Sequence, residues 1–214
     1  MSWKFFSEAL FQKAPHALLV HLLIVFVTVS LAIVISVPLG VLLTRRNYQR
    51  FGIVALNILN ILQAVPGMAV LALALPLFGL GLKPAIIALL VQSLLPIVRN
   101  TIAGLLGVNN DVKEAASGMG MSARQILLEV ELPLAMPIII SGIKTTTVYV
   151  VSVGTLASLI GAGGLGYLIM GGLALFRFEY LIVGAGLGAL LSIFFDWALS
   201  YLEARITPPG IQVE

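Results

Sequence analysis

The chain has 214 residues, 60% of them hydrophobic and 10% charged, with a formal net charge of +3. A soluble domain carries roughly 25% charged residues, so this composition, with a mean hydropathy of +1.11, excludes an ordinary water-soluble fold and points to lipid as the solvent. The basic excess forms no long Lys/Arg run, which argues for loop charges that orient a membrane chain and against nucleic-acid binding, and the absence of cysteine removes disulfides, thiol catalysis and thiolate metal sites.

Residues 1–17 read as an N-terminal segment on the outward side. Trp3, Phe6 and Leu10 fall at helical spacing, which predicts a short helix lying at the membrane interface, with a frayed tail as the alternative. The apolar stretch that follows runs past the ~7–15 residues of a cleavable signal segment. A spanning helix needs ~20 apolar residues. No Asp, Glu, Lys or Arg occurs from Ala14 to Thr44, so a first span is expected over about 18–43, closed by Arg45, Arg46 and Arg50. Further spans are expected over about 53–79, 84–106, 134–160 and 180–202, the last three carrying one charge each: Arg99, Lys144 and Asp196. The glycines of Gly161–Gly172 argue against a regular sixth helix. The expected fold is an all-α integral membrane bundle of five spans over residues 18–202, with a tail over 203–214.

Alternate loops of such a bundle share a side. One side collects Arg45, Arg46, Arg50, Lys113, Arg124 and Arg205; the other collects Lys4, Lys13, Lys83 and Arg177. Basic residues favour the cytoplasmic side. The expected orientation is N-terminus outside, with the C-terminus and the polar loop 111–133 in the cytoplasm.

That loop is patterned twice over. Asp111 with Glu114 has the spacing of a capping box, and Val112, Ala115, Ala116 and Met119 then share one helical face. Gly120 is expected to break this helix with a positive φ. Ser122 with Gln125 repeats the capping box, Ala123, Ile126, Leu127 and Val130 repeat the apolar face, and Pro133 closes the second helix or opens the next span. Periodicity alone fits a surface that docks on a soluble partner and an ordinary connection resting on the bundle equally well.

The residues themselves are more particular. Glu114-Ala115-Ala116, three residues, Gly120, nine residues and Val130-Glu131-Leu132-Pro133 resemble the EAA loop of ABC importer permeases, with Val130 in place of the family's isoleucine. The five spans around the loop are similar to the compact type I importer bundle of the methionine-permease kind. The resemblance implies that Glu114, Ala115, Ala116, Gly120, Met121 and Ser122 meet an ATP-binding subunit. It also implies a dimer of that ATPase, a second permease subunit, identical or related, and an extracytoplasmic solute-binding protein. No GxxxxGK[ST] run occurs, so ATP hydrolysis is expected in the separate ATPase and not in this chain; no cofactor is expected. Gly79–Ala85, Glu114–Met121, Val130–Ala135 and Ile160–Gly166 resemble the branch that carries glycine betaine, choline and carnitine, and Gly118–Ser122 followed by Val130–Ala135 is the part most particular to it. The Gly-Ala-Gly-Gly-Leu-Gly run is shared with methionine importers, which keeps a methionine-like solute as the alternative.

Polar residues inside spans are costly in lipid and face the protein interior or a cavity. Asn57, Asn60, Gln63 and Pro66 fall mainly three apart on the second span, and Pro66-Gly67 is expected to kink or unwind it. Asn60, Gln63, Pro66 and Thr146 are the candidate pathway residues; helix–helix packing is the competing role, the more so for the threonines and serines of the fourth span. Gly161–Gly166 is expected to form an outward-side turn or gate, and the Gly184/Gly188 pair a close packing contact. Arg99, Lys144 and Asp196 lie on the order of 10–16 Å from the cytoplasmic ends of their spans at ~1.5 Å per residue. Asp196 is therefore expected to pair with Lys144 or Arg99. An intramembrane enzyme finds no support, since His16 and His21 sit near the outer end of the first span without a nucleophile or metal-ligand set. A passive channel or scaffold fits the composition but not the patterned loop.

Overall fold

The computed structural model describes residues 2–207. Residues 208–214, most of the expected tail, lie outside the described residues. The elements are α1 (Trp3–Leu43), α2 (Gln49–Ala64), α3 (Gly67–Phe78), α4 (Leu82–Leu106), α5 (Asn110–Gly118), α6 (Ala123–Ile160), α7 (Leu165–Ala174) and α8 (Phe178–Ile206). Among the described residues, α1, α4, α6 and α8 are long and apolar enough to cross a membrane, and the bent pair α2–α3 passes the same test taken together, which gives four spans, or five where that pair crosses as one.

α1 joins the helix expected at the N-terminus to the first span without a break. It is 41 residues long, or about 60 Å at ~1.5 Å per residue, twice the ~30 Å hydrocarbon core. Trp3, Phe6 and Leu10 therefore belong to the first turns of the spanning helix itself, and nothing interrupts the helix at residue 17. The helix widens to a π-turn over Glu8–Lys13. Pro15 follows and has no N–H to offer the carbonyl of Phe11, so the wider turn absorbs the missing bond. α6 repeats the device: its π-turn at Ile126–Glu131 includes Glu129, whose carbonyl Pro133 cannot serve. Pro133 thus neither ends the loop's second helix nor starts a separate span. The helix runs through it.

Small residues set the crossings. α1 packs on α4, α4 on α6, and α6 on α8. A Cβ on Gly40 would lie 2.6 Å from the Thr101 Cβ, and one on Gly142 would lie 2.6 Å from the Asn100 Cβ, so the backbones meet at those glycines. Ile24, Leu89, Val150, Val151 and Ala157 fill the core between α1, α4 and α6. Ala14, Ala17, Leu165, Leu168 and Tyr180 form a second cluster where α1 meets α7 and α8.

The glycine-rich stretch divides differently from expectation. Gly161, Gly163 and Gly164 have φ of 77°, 77° and 74° and make the turn. Gly166, Gly171 and Gly172 lie inside α7. For Gly166 and Gly172 the helical cost is outweighed by close approach: a Cβ on Gly166 would sit 1.7 Å from the Thr155 carbonyl oxygen, and one on Gly172 would sit 2.8 Å from the Leu181 nitrogen. α7 has 10 residues, too few to cross, so it adds no sixth span. Gly184 packs as expected, its ideal Cβ 3.0 Å from the Leu168 Cβ, whereas Gly188 faces open space.

Contacts sort the connections between two ends. The Gly81 N–H donates to the Ile160 carbonyl at 2.8 Å, and the Ser2 N–H donates to the Glu179 carboxylate. At the other end, Arg45 meets Glu131 and Lys144 meets Glu203. The N-terminus and the glycine turns thus share one end, and the 111–133 loop and the end of α8 share the opposite one.

Candidate docking loop and intramembrane polar groups

The loop is a helix, a glycine turn and a second helix. Its first cap lies two residues upstream of the expected one. Asn109 caps α5, its side-chain oxygen accepting from the Asp111 N–H at 2.9 Å, and Asp111 sits in the first turn, where a carboxylate suits the helix dipole. The Met121 N–H then reaches back to the Ala116 carbonyl at 3.2 Å, and Gly120 turns the chain with φ 85°. A Cβ at Gly120 would meet nothing within 4 Å, so its need for glycine is conformational and not steric. The second capping box forms as expected: the Ser122 N–H donates to Gln125 Oε1 at 2.9 Å, and the Ser122 hydroxyl accepts from the Gln125 N–H.

Of the six loop residues singled out, Glu114, Ala115, Gly120 and Ser122 are exposed, Met121 is half-buried and Ala116 is buried, on the helix that packs against the first turns of α6. Val112 and Met119 are 41% and 76% exposed on the face they share with Ala115. Apolar side chains at a polar loop, outside the span lengths, form a surface that a protein partner can cover.

The loop is also stiff. Its second helix is the start of α6, which runs 38 residues from Ala123 to Ile160. Arg45, just past α1, donates from Nη2 to Glu131 Oε2 at 2.6 Å. Glu131 is buried, so this pair fastens the loop to the first span. Glu131 occupies the variable position between Val130 and Leu132, where the motif gives no signal for it.

Inside the spans, α2 and α3 meet at a bend of 97°. Val65 is extended there, with ψ 128°, and Pro66 follows. Asn57, Gln63 and Pro66 present exposed surface along this broken span, and Asn60 is half-buried, accepting from Arg99 Nη2 at 2.6 Å. Thr146 departs from expectation: it is fully buried and its hydroxyl has no partner among the described residues, so it faces helix packing and not an open surface.

The expected pairing of Asp196 is also corrected. Lys144 Nζ lies 3.1 Å from Ser200 Oγ and 3.4 Å from Glu203 Oε2, while Asp196 forms no ion pair among the described residues. A helical side chain leans toward its helix N-terminus. For Lys144 that is the loop end of α6, where antiparallel α8 supplies Glu203 two turns beyond Asp196. Sequence reading also missed Gln92 and Tyr149, which form a hydrogen-bonded pair beside the bend; their partners are distant in sequence and no local pattern marks them.

Residues 36–208 match the family described as "Binding-protein-dependent transport system inner membrane component". This chain belongs to that family. Among curated relatives, the glycine betaine/carnitine/choline transport system permease protein OpuCB of Bacillus subtilis is 45% identical, covering 90% of this chain and 88% of its own. The osmoprotectant import permease protein OsmY of Salmonella typhimurium is 43% identical over 88% of this chain and 80% of its own. Among solved structures, an inward-facing MetNI methionine ABC transporter chain superposes with a TM-score of 0.82 at 26% identity, over 97% of this chain and all of that one. The type I importer architecture read from the loop is thus the family's, and the chain is a multi-pass membrane permease. A permease of this family works with an ATPase and a binding protein.

Proposed function

We propose that this chain is the translocating subunit of an ATP-driven importer for quaternary-amine osmoprotectants of the glycine betaine, choline and carnitine type. The observation that carries the reading is the set of curated relatives at 41–45% identity over about nine-tenths of the chain, whose names specify these solutes or osmoprotectants. The methionine reading draws on the fold likeness at 26% identity and is the weaker of the two.

In this reading two permease subunits, a dimer of ATPase subunits and an extracytoplasmic binding protein assemble in the cytoplasmic membrane. The N-terminus lies outside and the C-terminus in the cytoplasm. Glu114, Ala115, Ala116, Gly120, Met121 and Ser122 seat the loop on the ATPase. Closure of the ATPase pair on ATP moves the loop as a rigid body. Because α6 has no break between Ala123 and Ile160, and Arg45 ties Glu131 to α1, that movement reaches both spans. Gln63 and Pro66 face the solute path, with Asn60 beside them. Quaternary ammonium groups are recognised by aromatic cages; the binding protein supplies that cage, and the permease supplies a path that does not trap the solute.

Binding of radiolabelled glycine betaine, choline and methionine by the cognate binding protein tests the solute. Tight binding of a quaternary amine, with none of methionine, is expected; the reverse order overturns the assignment.

A further inference from the structure

A helix break inside a membrane frees backbone groups that lipid cannot satisfy, so neighbouring protein or a water-lined cavity must do so. At the α2–α3 bend the demand is met from two other spans. Gln92 of α4 is 2% exposed, and its Nε2 donates to the Val65 carbonyl at 2.6 Å. Val65 closes α2, so its carbonyl is among those a helix end leaves without a partner. Gln92 Oε1 in turn accepts from the Tyr149 hydroxyl of α6. Gly67 completes the arrangement: a Cβ there would lie 2.8 Å from Val153 Cγ1, 3.1 Å from Gln92 Oε1 and 3.3 Å from the Tyr149 oxygen. Seven residues further along α4, on the same helical face, Arg99 holds Asn60. α4 therefore grips α2 at two points two turns apart, and the exposed Gln63 lies between them.

We propose that Gln92 and Tyr149 are positioning residues of the translocation pathway, clasping the α2–α3 bend so that Gln63 and Pro66 stay presented along it. The proposal rests on the permease reading above and deepens it. The clasp needs both bonds in series. Gln92 has one donor edge for the carbonyl and one acceptor edge for the phenol, so neither Leu nor Glu at this position reproduces it. Tyr149 orients the amide so that the donor edge faces Val65. The clasp joins α2, α4 and α6. Since α6 begins in the docking loop, the bend is mechanically continuous with the element that meets the ATPase.

The test uses the assembled importer, with its ATPase and binding protein, in nanodiscs. Hydrogen exchange at backbone amides of residues 67–70 reads the clasp. Because this chain has no cysteine, Gln63→Cys supplies a single thiol on it for an impermeant maleimide, and protection of that thiol by solute reads the pathway. In Gln92→Leu, exchange over 67–70 should rise at least about fivefold, the low end for a buried carbonyl left without its donor. Combined with Gln63→Cys, the same substitution should change the labelling rate of the introduced thiol. On its own it should raise the solute KM more than it lowers the maximal rate. Tyr149→Phe, which removes a single oxygen, should move the same readouts in the same direction by less. Gln92→Leu with Tyr149→Phe should be no worse than Gln92→Leu alone, because the Tyr149 bond acts through Gln92. If Gln92→Leu fails to assemble, Tyr149→Phe alone decides. Unchanged exchange and labelling in the assembled variants, or additive effects when both residues are replaced, overturn the clasp. Faster exchange with no protection of the introduced thiol by any solute keeps the clasp and refutes the pathway it is said to position.

Discussion

Removal of Arg45 should be more damaging than removal of the charge on its partner. The side chains of Arg45 and Glu131 are 38% and 9% exposed. Arg45→Ala strands a carboxylate that the fold hides from water, whereas Glu131→Gln strands a guanidinium that already reaches solvent. Breaking a fully buried pair costs ~3–5 kcal/mol. The exposure of Arg45 lets water compensate in part, so the expected loss for Arg45→Ala is about 2 kcal/mol. Glu131→Gln keeps an acceptor at hydrogen-bonding distance and should cost under ~1 kcal/mol, as an exposed pair does. By the scaling for folded chains of this size, ~2–4 °C per kcal/mol, Arg45→Ala should lower the midpoint of thermal inactivation of the solubilised permease by about 6 °C. The assay is size-exclusion of the heated complex, with ATPase co-elution as the readout of the loop. The double variant should recover most of the loss, because no buried charge remains. A Glu131→Gln loss equal to or larger than that of Arg45→Ala refutes the argument.

Three other outcomes are expected. Gly120→Asp should abolish uptake while leaving membrane insertion intact, since φ 85° is rarely adopted by a residue with a side chain and the substitution adds a carboxylate at an exposed position of the docking loop; normal uptake sinks the docking assignment. Gly166→Ala should prevent accumulation of folded permease, because its Cβ would lie 1.7 Å from the Thr155 carbonyl oxygen, and Gly188→Ala, facing open space, should not; membrane-fraction immunoblots compare them. Lys144→Glu should lose transport and regain part of it with Glu203→Lys, but not with Asp196→Lys; uptake measurements on the paired swaps decide between those partners.

The spans were legible because hydropathy is a sum over ~20 residues and survives local error. The loop was legible because its turn chemistry is local: Gly120 and the Ser122–Gln125 box need only neighbours in sequence. The bend at Pro66 followed from proline's missing donor and ring. What escaped depended on a second segment. The glycines of α7 argued against a helix on propensity, yet a short helix forms there, and Gly166 and Gly172 let it pack on Thr155 and Leu181 more closely than any Cβ would allow. Lys144 was matched to the wrong acid because spacing along a span fixes depth only to about a turn, while the lean of a long side chain decides which turn it reaches. Asn109, Asn110 and Asp111 are all plausible caps by type, and only the realised backbone selects Asn109. Gln92 and Tyr149 lie 57 residues apart, and neither carries a motif.

Uptake by the reconstituted importer tests the account most directly. Proteoliposomes containing this permease with its ATPase and binding protein should accumulate labelled glycine betaine or choline when ATP is present on the cytoplasmic face, and an excess of unlabelled methionine should not compete. Uptake that proceeds without ATP or without the ATPase, or accumulation of methionine in place of the quaternary amines, would contradict it.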